Sequence, residues 1–304
     1  MKRLLITLFT TVFVLSLFSC KDEIEDEDEK ENENDTVIVV TPMDKVITSI
    51  AIHGNDIWVG TNMYGLFKKD GDSWINYTDT SGLPSNEITS IAIGDDGVVW
   101  VGFLDHGILK IAGDEWTRYT SNDGLASSVV YSFAFDNDGN LIAGTGRNGI
   151  AFYNGQSFSS IQIDDSPGHI HSITVDLEGN IWTGGCYTGL SMYDGQNWTL
   201  EINECKKFVM AVYAAQNGDI WAGDLDGTYR LHDGAWTECG LGKNTASSFV
   251  EDLDHNIWIG GKGLYKFNGS EFETIDSVNY YSSLVCDPEG KIWAGGTGIT
   301  VFEP

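Results

Sequence analysis

Residues 170–199 read IHSITVDLEGNIWTGGCYTGLSMYDGQNWT, and variants of this pattern recur along the chain. The pattern consists of an apolar segment, a turn of the Asp-x-Asp/Glu-Gly type, Ile-Trp-x-Gly, Gly-Leu, a second Asp-Gly turn and a closing Trp-containing segment. Six copies of about 35–42 residues are complete, and a seventh stops at Pro304 before its last segment. A repeat of this period indicates a stacked or circular architecture. Positions that recur in every copy should be scaffold, whereas positions that differ are free to carry function.

Two aromatic columns fix the register of the repeat. The first is tryptophan in six of seven copies, with Ile142 as the exception: Trp58, Trp100, Trp182, Trp221, Trp258 and Trp293. The second follows it within each of the first six copies: Trp74, Trp116, Phe158, Trp198, Trp236 and Phe272. Because these residues recur whatever the loops contain, we predict that the first column is structural.

Each copy contains four short strand segments. In the first copy they are 47–52, 56–60, 65–69 and 73–78, rich in β-branched and aromatic residues and bounded by Gly, Asp and Asn. Pairs such as Asp70-Gly71 and Asp96-Gly97 are typical of tight hairpins. No copy has a helical period. The sequence therefore predicts an all-β fold, a seven-bladed β-propeller of four-stranded antiparallel blades over residues 36–304.

The two ends of the repeat region are complementary. The last copy lacks its fourth strand, and the segment 37–41, Val-Ile-Val-Val-Thr, precedes the first copy and resembles the missing strand. Pairing the two would close the ring and remove two exposed sheet edges. We predict that the N-terminal strand closes the propeller; the alternative is a loose strand outside it.

The N-terminus predicts export and lipid attachment. Residues 1–20 have basic residues, an apolar run and Cys20, and they resemble a bacterial lipoprotein signal peptide with lipid added to Cys20. An ordinary secretory signal is the alternative. Residues 21–35 carry a charge of about -8 and are predicted to be an acidic disordered tether. We expect an outer membrane lipoprotein anchored in the membrane through Cys20 and exposed at the cell surface, or alternatively facing the periplasm.

Charge limits the partners. The chain carries -28, of which -22 falls on the propeller. This argues against nucleic acid and polyanionic glycans, which need an excess of basic residues. A neutral glycan or a protein partner remains open. The cysteines beyond Cys20 are Cys186, Cys205, Cys239 and Cys286; a Cys186–Cys205 disulfide and free thiols are both compatible with the spacing, which is not that of a zinc site.

The motifs at residues 88–93, 180–185 and 189–190, with the connection Gly-Leu-Pro-Ser-Asn-Glu-Ile at 82–88, resemble the two-component regulator propeller repeat. The resemblance covers residues 37–304. It implies a sensor-type propeller, since such propellers commonly form periplasmic sensor regions of hybrid histidine kinases, often linked to polysaccharide use. The sequence contains no membrane helix or kinase segment after the propeller. We therefore expect only ligand or partner binding to carry over, without signalling through the same chain.

The loops between second and third strands differ from copy to copy and should ring one mouth of the central channel. With residues that lead into first strands, they provide aromatic, amide, carboxylate and basic groups suited to a sugar or a peptide. The predicted ligand-binding residues are Asn62, Tyr64, Asp105, His106, Arg147, Asn148, His169, Tyr187, Asp224, Asp226, Lys262 and Tyr281.

Two functions are compatible with this pattern. The first is a lipid-anchored binding or sensor-like propeller for a glycan or protein. The second is a lyase or hydrolase on a propeller scaffold, acting on a carbohydrate or small molecule, which a cluster of His, Tyr, Glu or Lys with shifted pKa values would favour. His169 and His171 form a candidate metal pair without an obvious third ligand, and Asp105 with His106 a candidate acid and base. No catalytic residue, metal or cofactor is predicted.

Overall fold

The computed structural model describes residues 45–147, 149–163, 168–199, 208–243 and 246–303, and the backbone of residues 38–40. The chain divides into two units, Met1–Asn34 and Asp35–Pro304, and every described residue belongs to the second. The predicted signal peptide lies outside the described residues, as do the acidic tether and Cys20. Within the described residues the unit is built of strands, and its helical segments are two short 3-10 turns, Asp79–Ser81 and Ser121–Asp123.

Seven antiparallel sheets follow one another along the chain and form the seven blades. Blade one contains β2 Ile47–His53, β3 Asp56–Thr61, β4 Leu66–Asp70 and β5 Ser73–Tyr77. Blade two contains β6 Ile88–Ile93, β7 Val99–Phe103, β8 Ile108–Ala112 and β9 Glu115–Tyr119. Blade three contains β10 Val130–Phe135, β11 Leu141–Thr145, β12 Gly149–Tyr153 and β13 Phe158–Gln162. Blade four contains β14 Ile170–Val175, β15 Ile181–Gly185, β16 Gly189–Tyr193 and β17 Trp198–Thr199. Blade five contains β18 Val209–Ala214, β19 Ile220–Asp224, β20 Thr228–His232 and β21 Ala235–Glu238. Blade six contains β22 Ser248–Glu251, β23 Ile257–Phe267 and β24 Phe272–Tyr280, and blade seven contains β25 Ser283–Cys286, β26 Ile292–Gly296 and β27 Gly298–Phe302.

The N-terminal strand closes the ring as predicted. Strand β1, Ile38–Val40, pairs antiparallel with β27, so that residue 38 faces Val301 and residue 40 faces Ile299. The seventh sheet therefore has the order β1-β27-β26-β25 and obtains its outer strand from the opposite end of the chain.

Blade six is continuous where the other blades have a loop. Strand β23 comprises the second and third strands of the repeat pattern in one extended run. The run folds back on itself, as shown by the distance of 5.0 Å between Lys266 Nζ and the centre of the Trp258 ring, eight residues earlier in the chain. Gly263, with φ of 103°, lies at this reversal. The blade therefore keeps four strand segments, and its middle two are joined directly at this reversal.

The first tryptophan column is buried, as predicted. Its six side chains are between 0% and 8% exposed. In blades four, six and seven the indole N–H donates to an aspartate at the first hairpin turn: Trp182 to Asp176 at 2.7 Å, Trp258 to Asp252 at 2.8 Å and Trp293 to Asp287 at 2.9 Å. The repeated aspartate thus fixes both the turn and the core tryptophan.

Serines of the first strand of each blade, which we call the inner strand, join neighbouring blades. The hydroxyl oxygen of Ser49 accepts from the Ile91 amide of the next blade at 2.9 Å. Equivalent bonds run from Val212 to Ser172, from Leu284 to Ser248 and, across the closure between blades seven and one, from Ile50 to Ser283. Since the same bond occurs at the closure, blades seven and one meet as other neighbouring blades do.

Candidate binding face

The loops between second and third strands lie at one end of the blades, which we call the loop face. The turns between first and second strands lie at the other end, the hairpin face. On the loop face the loops of blades three, four and seven contact the start of the first strand of the next blade. Thr297 bridges to Val46, Gly146 to His169 and Cys186 to Phe208. The residues predicted to join the loops are therefore part of the same face.

Exposed apolar side chains concentrate on the loop face. Of the twelve large apolar side chains that are exposed among the described residues, nine lie here: Val46, Met63, Tyr64, Leu104, Tyr187, Phe208, Leu225, Val278 and Tyr280. The other three are Ile75, Leu177 and Leu253. Folding does not require apolar side chains at loop tips, so their concentration at one end of the blades makes that end the candidate interaction surface.

Three loop tips carry backbone strain. Met63, Arg147 and Tyr187 have φ of 84°, 59° and 72°, each two residues before the glycine that begins or precedes the third strand. Bulky residues adopt this left-handed region at a cost of about 1–3 kcal/mol. Glycine would remove the cost, so the backbone itself gives no reason for a side chain at these positions.

A bulge near the start of the inner strand forms a second variable column. The register shifts by one residue in blades one to five, at Thr48, Thr89, Tyr131, His171 and Met210. A bulge bends the strand and redirects a side chain, and bulges are common next to functional sites. The sequence prediction missed this column, although its signal was present. In each of these copies a variable residue follows an apolar residue and precedes a serine or alanine.

Tyr131 and His171 meet in an aromatic cluster between blades three and five. The Tyr131 ring lies 5.1 Å from His169 and 4.9 Å from His171, and His171 lies 5.4 Å from Phe208. His171 Nε2 is 3.1 Å from Sγ of Cys186. Cys186 is buried and its thiol is free. We call these five residues the imidazole cluster.

The imidazole cluster favours uncharged rings. Burial lowers the pKa of His171, and the neighbouring His169 adds to this effect. Burial likewise raises the pKa of Tyr131, with a contribution from Cys186. Both rings are therefore neutral at neutral pH. No group of three or more His, Cys, Asp or Glu side chains within the described residues is arranged to hold a metal ion.

Most of the predicted ligand-binding residues lie on the loop face. Tyr64 is half exposed, with Lys45 Nζ 4.4 Å from its ring centre, and the Asp105 carboxylate contacts His106 Nδ1. Asp226 is exposed and pairs with Lys243 at 2.8 Å. The remaining members on this surface are Asn62, Arg147, His169, Tyr187 and Lys262. Asn148 lies outside the described residues.

Two predicted residues do not belong to the exposed face. Asp224 is 6% exposed, and its Oδ1 accepts from the backbone of Asp226 and Gly227, so this carboxylate shapes its own loop. Burial raises its pKa. Tyr281 is 4% exposed and donates its hydroxyl to Asp276 at 2.8 Å, whereas its neighbour Tyr280 is exposed. One step along an extended strand turns the side chain to the other side.

Residues 82–105, the connection into blade two with its first two strands, match the family model described as the two component regulator propeller. The resemblance to the two-component regulator propeller repeat, seen at residues 82–93, 180–185 and 189–190, is thus confirmed, and the matched region includes the first of these segments. None of the curated proteins matches the chain.

Solved structures match most of the chain. The extracellular domain of BT3049, described as a hybrid two component system of B. thetaiotaomicron, is 20% identical with a TM-score of 0.75, over 85% of this chain and 40% of that one. Virginiamycin B lyase from Staphylococcus aureus is 12% identical with a TM-score of 0.74, over 88% and 98%. PorZ, a bacterial surface component of the type-IX secretion system of Porphyromonas gingivalis, is 17% identical with a TM-score of 0.69, over 85% and 46%.

The chain thus spans less than half the length of the sensor and PorZ chains. At these identities the matches establish a shared β-propeller fold. The same fold serves a sensor, a secretion component and a lyase, so function must be argued from the site. In the part of the chain that the structure describes, no helix is both long and apolar enough to cross a membrane.

Proposed function

We propose that this protein is an extracytoplasmic binding propeller whose loop face binds a glycan or a protein partner. The observation that carries the proposal is the concentration of nine exposed large apolar side chains on this face. The strained loop tips support it, because a bulky residue in a strained conformation is expected where its side chain has a use.

The hairpin face provides the internal comparison. In blades three, four, six and seven its turns are built alike, with an aspartate at the same position accepting backbone N–H groups, as Asp176 does from Glu178 and Asn180. Variation is concentrated at the opposite end of the blades. Contact with a partner accounts for both the variation and the apolar character of the loop tips.

The chemistry of the loop face favours an uncharged ligand surface. Tyr64, Tyr187 and Phe208 offer rings for stacking, and the imidazole cluster adds neutral hydrogen-bonding groups beside them. The charge of -22 on the propeller opposes polyanions. A neutral glycan or an apolar protein surface meets these conditions.

Binding is better supported than catalysis at this face. His171 Nε2 already contacts the Cys186 thiol, and Cys186 is buried. An imidazole engaged in this way serves as a rigid ring platform more readily than as an acid or base. The alternative of a lyase or hydrolase would need a catalytic nitrogen other than His171 Nε2 at this face.

The location is part of the proposal. We infer attachment to the outer membrane through lipid on Cys20, with the propeller at the cell surface. The lipoprotein-like signal peptide supports this, as does the extracellular setting named for the similar BT3049 domain. Metabolic labelling with palmitate should label the wild-type protein and not Cys20→Ala, and protease treatment of intact cells should digest a surface-exposed propeller.

Blade four offers a matched pair of variants to test the binding face. Tyr187 on the loop face and Leu177 on the hairpin face are 68% and 61% exposed. Residues 36–304 should be screened on an array of neutral and acidic glycans, and the best glycan measured by calorimetry. Tyr187→Ala, alone or with Tyr64→Ala, should weaken binding at least tenfold, and Leu177→Ala should not. Equal affinities for all variants, or selective loss in Leu177→Ala, would contradict the proposal.

A further inference from the structure

Blade six departs from the repeat at two positions of its first hairpin. At the fourth residue of this turn five blades have glycine, with φ from 76° to 90°: Gly97, Gly139, Gly179, Gly218 and Gly290. Blade six has His255 there, with φ of 64°. Glycine adopts this conformation without strain and histidine does not, so the turn itself gives no reason for the histidine.

The second departure is Glu251, the last residue of the inner strand. The equivalent residues of the five blades with this turn are uncharged: Ile93, Phe135, Val175, Ala214 and Cys286. The Glu251 side chain is only 3% exposed. Burying a carboxylate is costly unless it is hydrogen-bonded, so an acid at this position needs partners.

The two departures are partners. Glu251 Oε1 lies 2.6 Å from His255 Nδ1, and Oε2 accepts from the backbone N–H of Gln216 at 2.8 Å. A carboxylate can only accept, so Nδ1 carries the proton and the lone pair of the neutral ring lies on Nε2. Nε2 has no hydrogen bond to a described residue, and the His255 side chain is 66% exposed.

The pair borders a cavity of about 480 Å³ on the hairpin face. Blades five, six, seven and one contribute to its wall, including Gln216, Leu253, His255, Cys286, Pro288 and His53. This volume is within the usual range for small-molecule sites. The carboxylates of Glu251, Asp252 and Asp287 also border the cavity and disfavour anions.

We propose that Glu251 and His255 form a general-base pair that activates water to hydrolyse a small uncharged or cationic ester in this cavity. Glu251 holds the imidazole in one tautomer and stabilises the imidazolium that forms, as a buried carboxylate does for histidine in hydrolytic triads. The site lies at the opposite end of the blades from the loop face. It is independent of the binding proposed there.

The reaction needs only water as a second reactant. His255 Nε2 takes one proton from water while the water oxygen bonds to the acyl carbon. The tetrahedral species then collapses, the bond between the acyl carbon and the alkoxy oxygen breaks, and the imidazolium returns the proton to the leaving oxygen. The products are a carboxylic acid and an alcohol, and the pair is regenerated.

The test uses the full chain with p-nitrophenyl acetate as the uncharged probe. Wild type should release p-nitrophenolate faster than buffer, with a rate that saturates in ester. His255→Gly restores the residue that five other blades carry but leaves the buried Glu251 with only the Gln216 amide as a partner. It should therefore still fold, with a melting temperature close to that of wild type, and lose at least tenfold of the protein-dependent rate. Glu251→Gln should lose about threefold to tenfold.

His232 provides the control. It also contacts a buried carboxylate, Asp219 at 2.7 Å, but does not line the cavity. His232→Asn should keep the wild-type rate. Equal rates for wild type and His255→Gly, including no rate above buffer for either, would overturn the proposal. A purely structural role for the pair would appear as a loss of stability in His255→Gly without a change in rate.

Discussion

At the scale of the residue, the repeat separates side chains that fold the protein from side chains that folding does not explain. The buried tryptophans and turn aspartates recur and contact one another, so their role is structural. Met63, Arg147 and Tyr187 instead hold a strained backbone while their side chains reach into solvent. Residues of this second kind are expected to lower the stability of the fold while contributing to function.

Tyr187 permits a direct test of whether such a residue lowers the stability of the fold. The Tyr187→Gly variant should be more stable than wild type by about 1 kcal/mol, because glycine adopts φ of 72° freely and the exposed ring loses few contacts. Chemical denaturation would measure the change, with Met63→Gly as a parallel case. A loss of stability in both variants would show that these side chains are part of the scaffold.

Asp276 should make stability depend on acid pH. Burial favours its neutral form, but hydrogen bonds from Val278 and Asn279 outweigh burial and lower the pKa from 3.8 to about 2. A carboxyl with a lowered folded-state pKa adds stability that is full above pH 4 and lost as pH falls toward 2. Thermal melts at pH 7 and pH 2.5 should therefore show a smaller acid loss for Asp276→Asn than for wild type. Equal losses would mean that these bonds do not hold the ionised form.

At the scale of the element, strand positions were readable from sequence but details of pairing were not. The predicted strands of the first copy agree with β2 to β5 to within one residue at each end, because β-branched runs and Gly turns bound them sharply. The inner-strand bulges escaped prediction, since a one-residue register shift leaves little trace in composition. The contact between Glu251 and His255 also escaped prediction, because the sequence shows two unusual residues but not the hydrogen bond that joins them.

Trp182 tests the packing that holds one blade to the next. It is 6% exposed and packs with Leu190, Val209 and Val212 in the core between blades four and five. Trp182→Ala should reduce the free energy of unfolding by about 3–5 kcal/mol through the cavity it leaves. Leu177→Ala, exposed in the same blade, should change it by less than about 0.5 kcal/mol. Similar effects for the two would contradict the scaffold role of the tryptophan column.

At the scale of the whole molecule, ring closure was predictable because the two chain ends were incomplete in complementary ways. Which side chains are exposed on the loop face was only partly predictable from the sequence. Asp224 and Tyr281 belong to the right segments, yet local hydrogen bonds and strand alternation direct them inward. Sequence places a residue on a segment, but the direction of its side chain depends on packing that the pattern does not encode.

Closure by β1 should matter for stability. Deleting residues 36–42 removes the outer strand of blade seven and exposes the edge of β27, so the melting temperature should fall by several degrees. Deleting residues 21–35, the predicted tether, is the matched control and should leave the melting temperature unchanged. If both deletions leave the melting temperature as it is in wild type, β1 does not hold the ring together.

The central claim is that partners bind the loop face, and site-specific photo-crosslinking in living cells tests it most directly. A photoreactive phenylalanine analogue would replace Tyr187 on the loop face or Leu177 on the hairpin face, two positions of similar exposure in blade four. We predict a crosslink to a glycan or protein from position 187, suppressed by Tyr64→Ala in the same chain, and none from position 177. A crosslink from position 177 alone, or equal crosslinks from both positions, would contradict it.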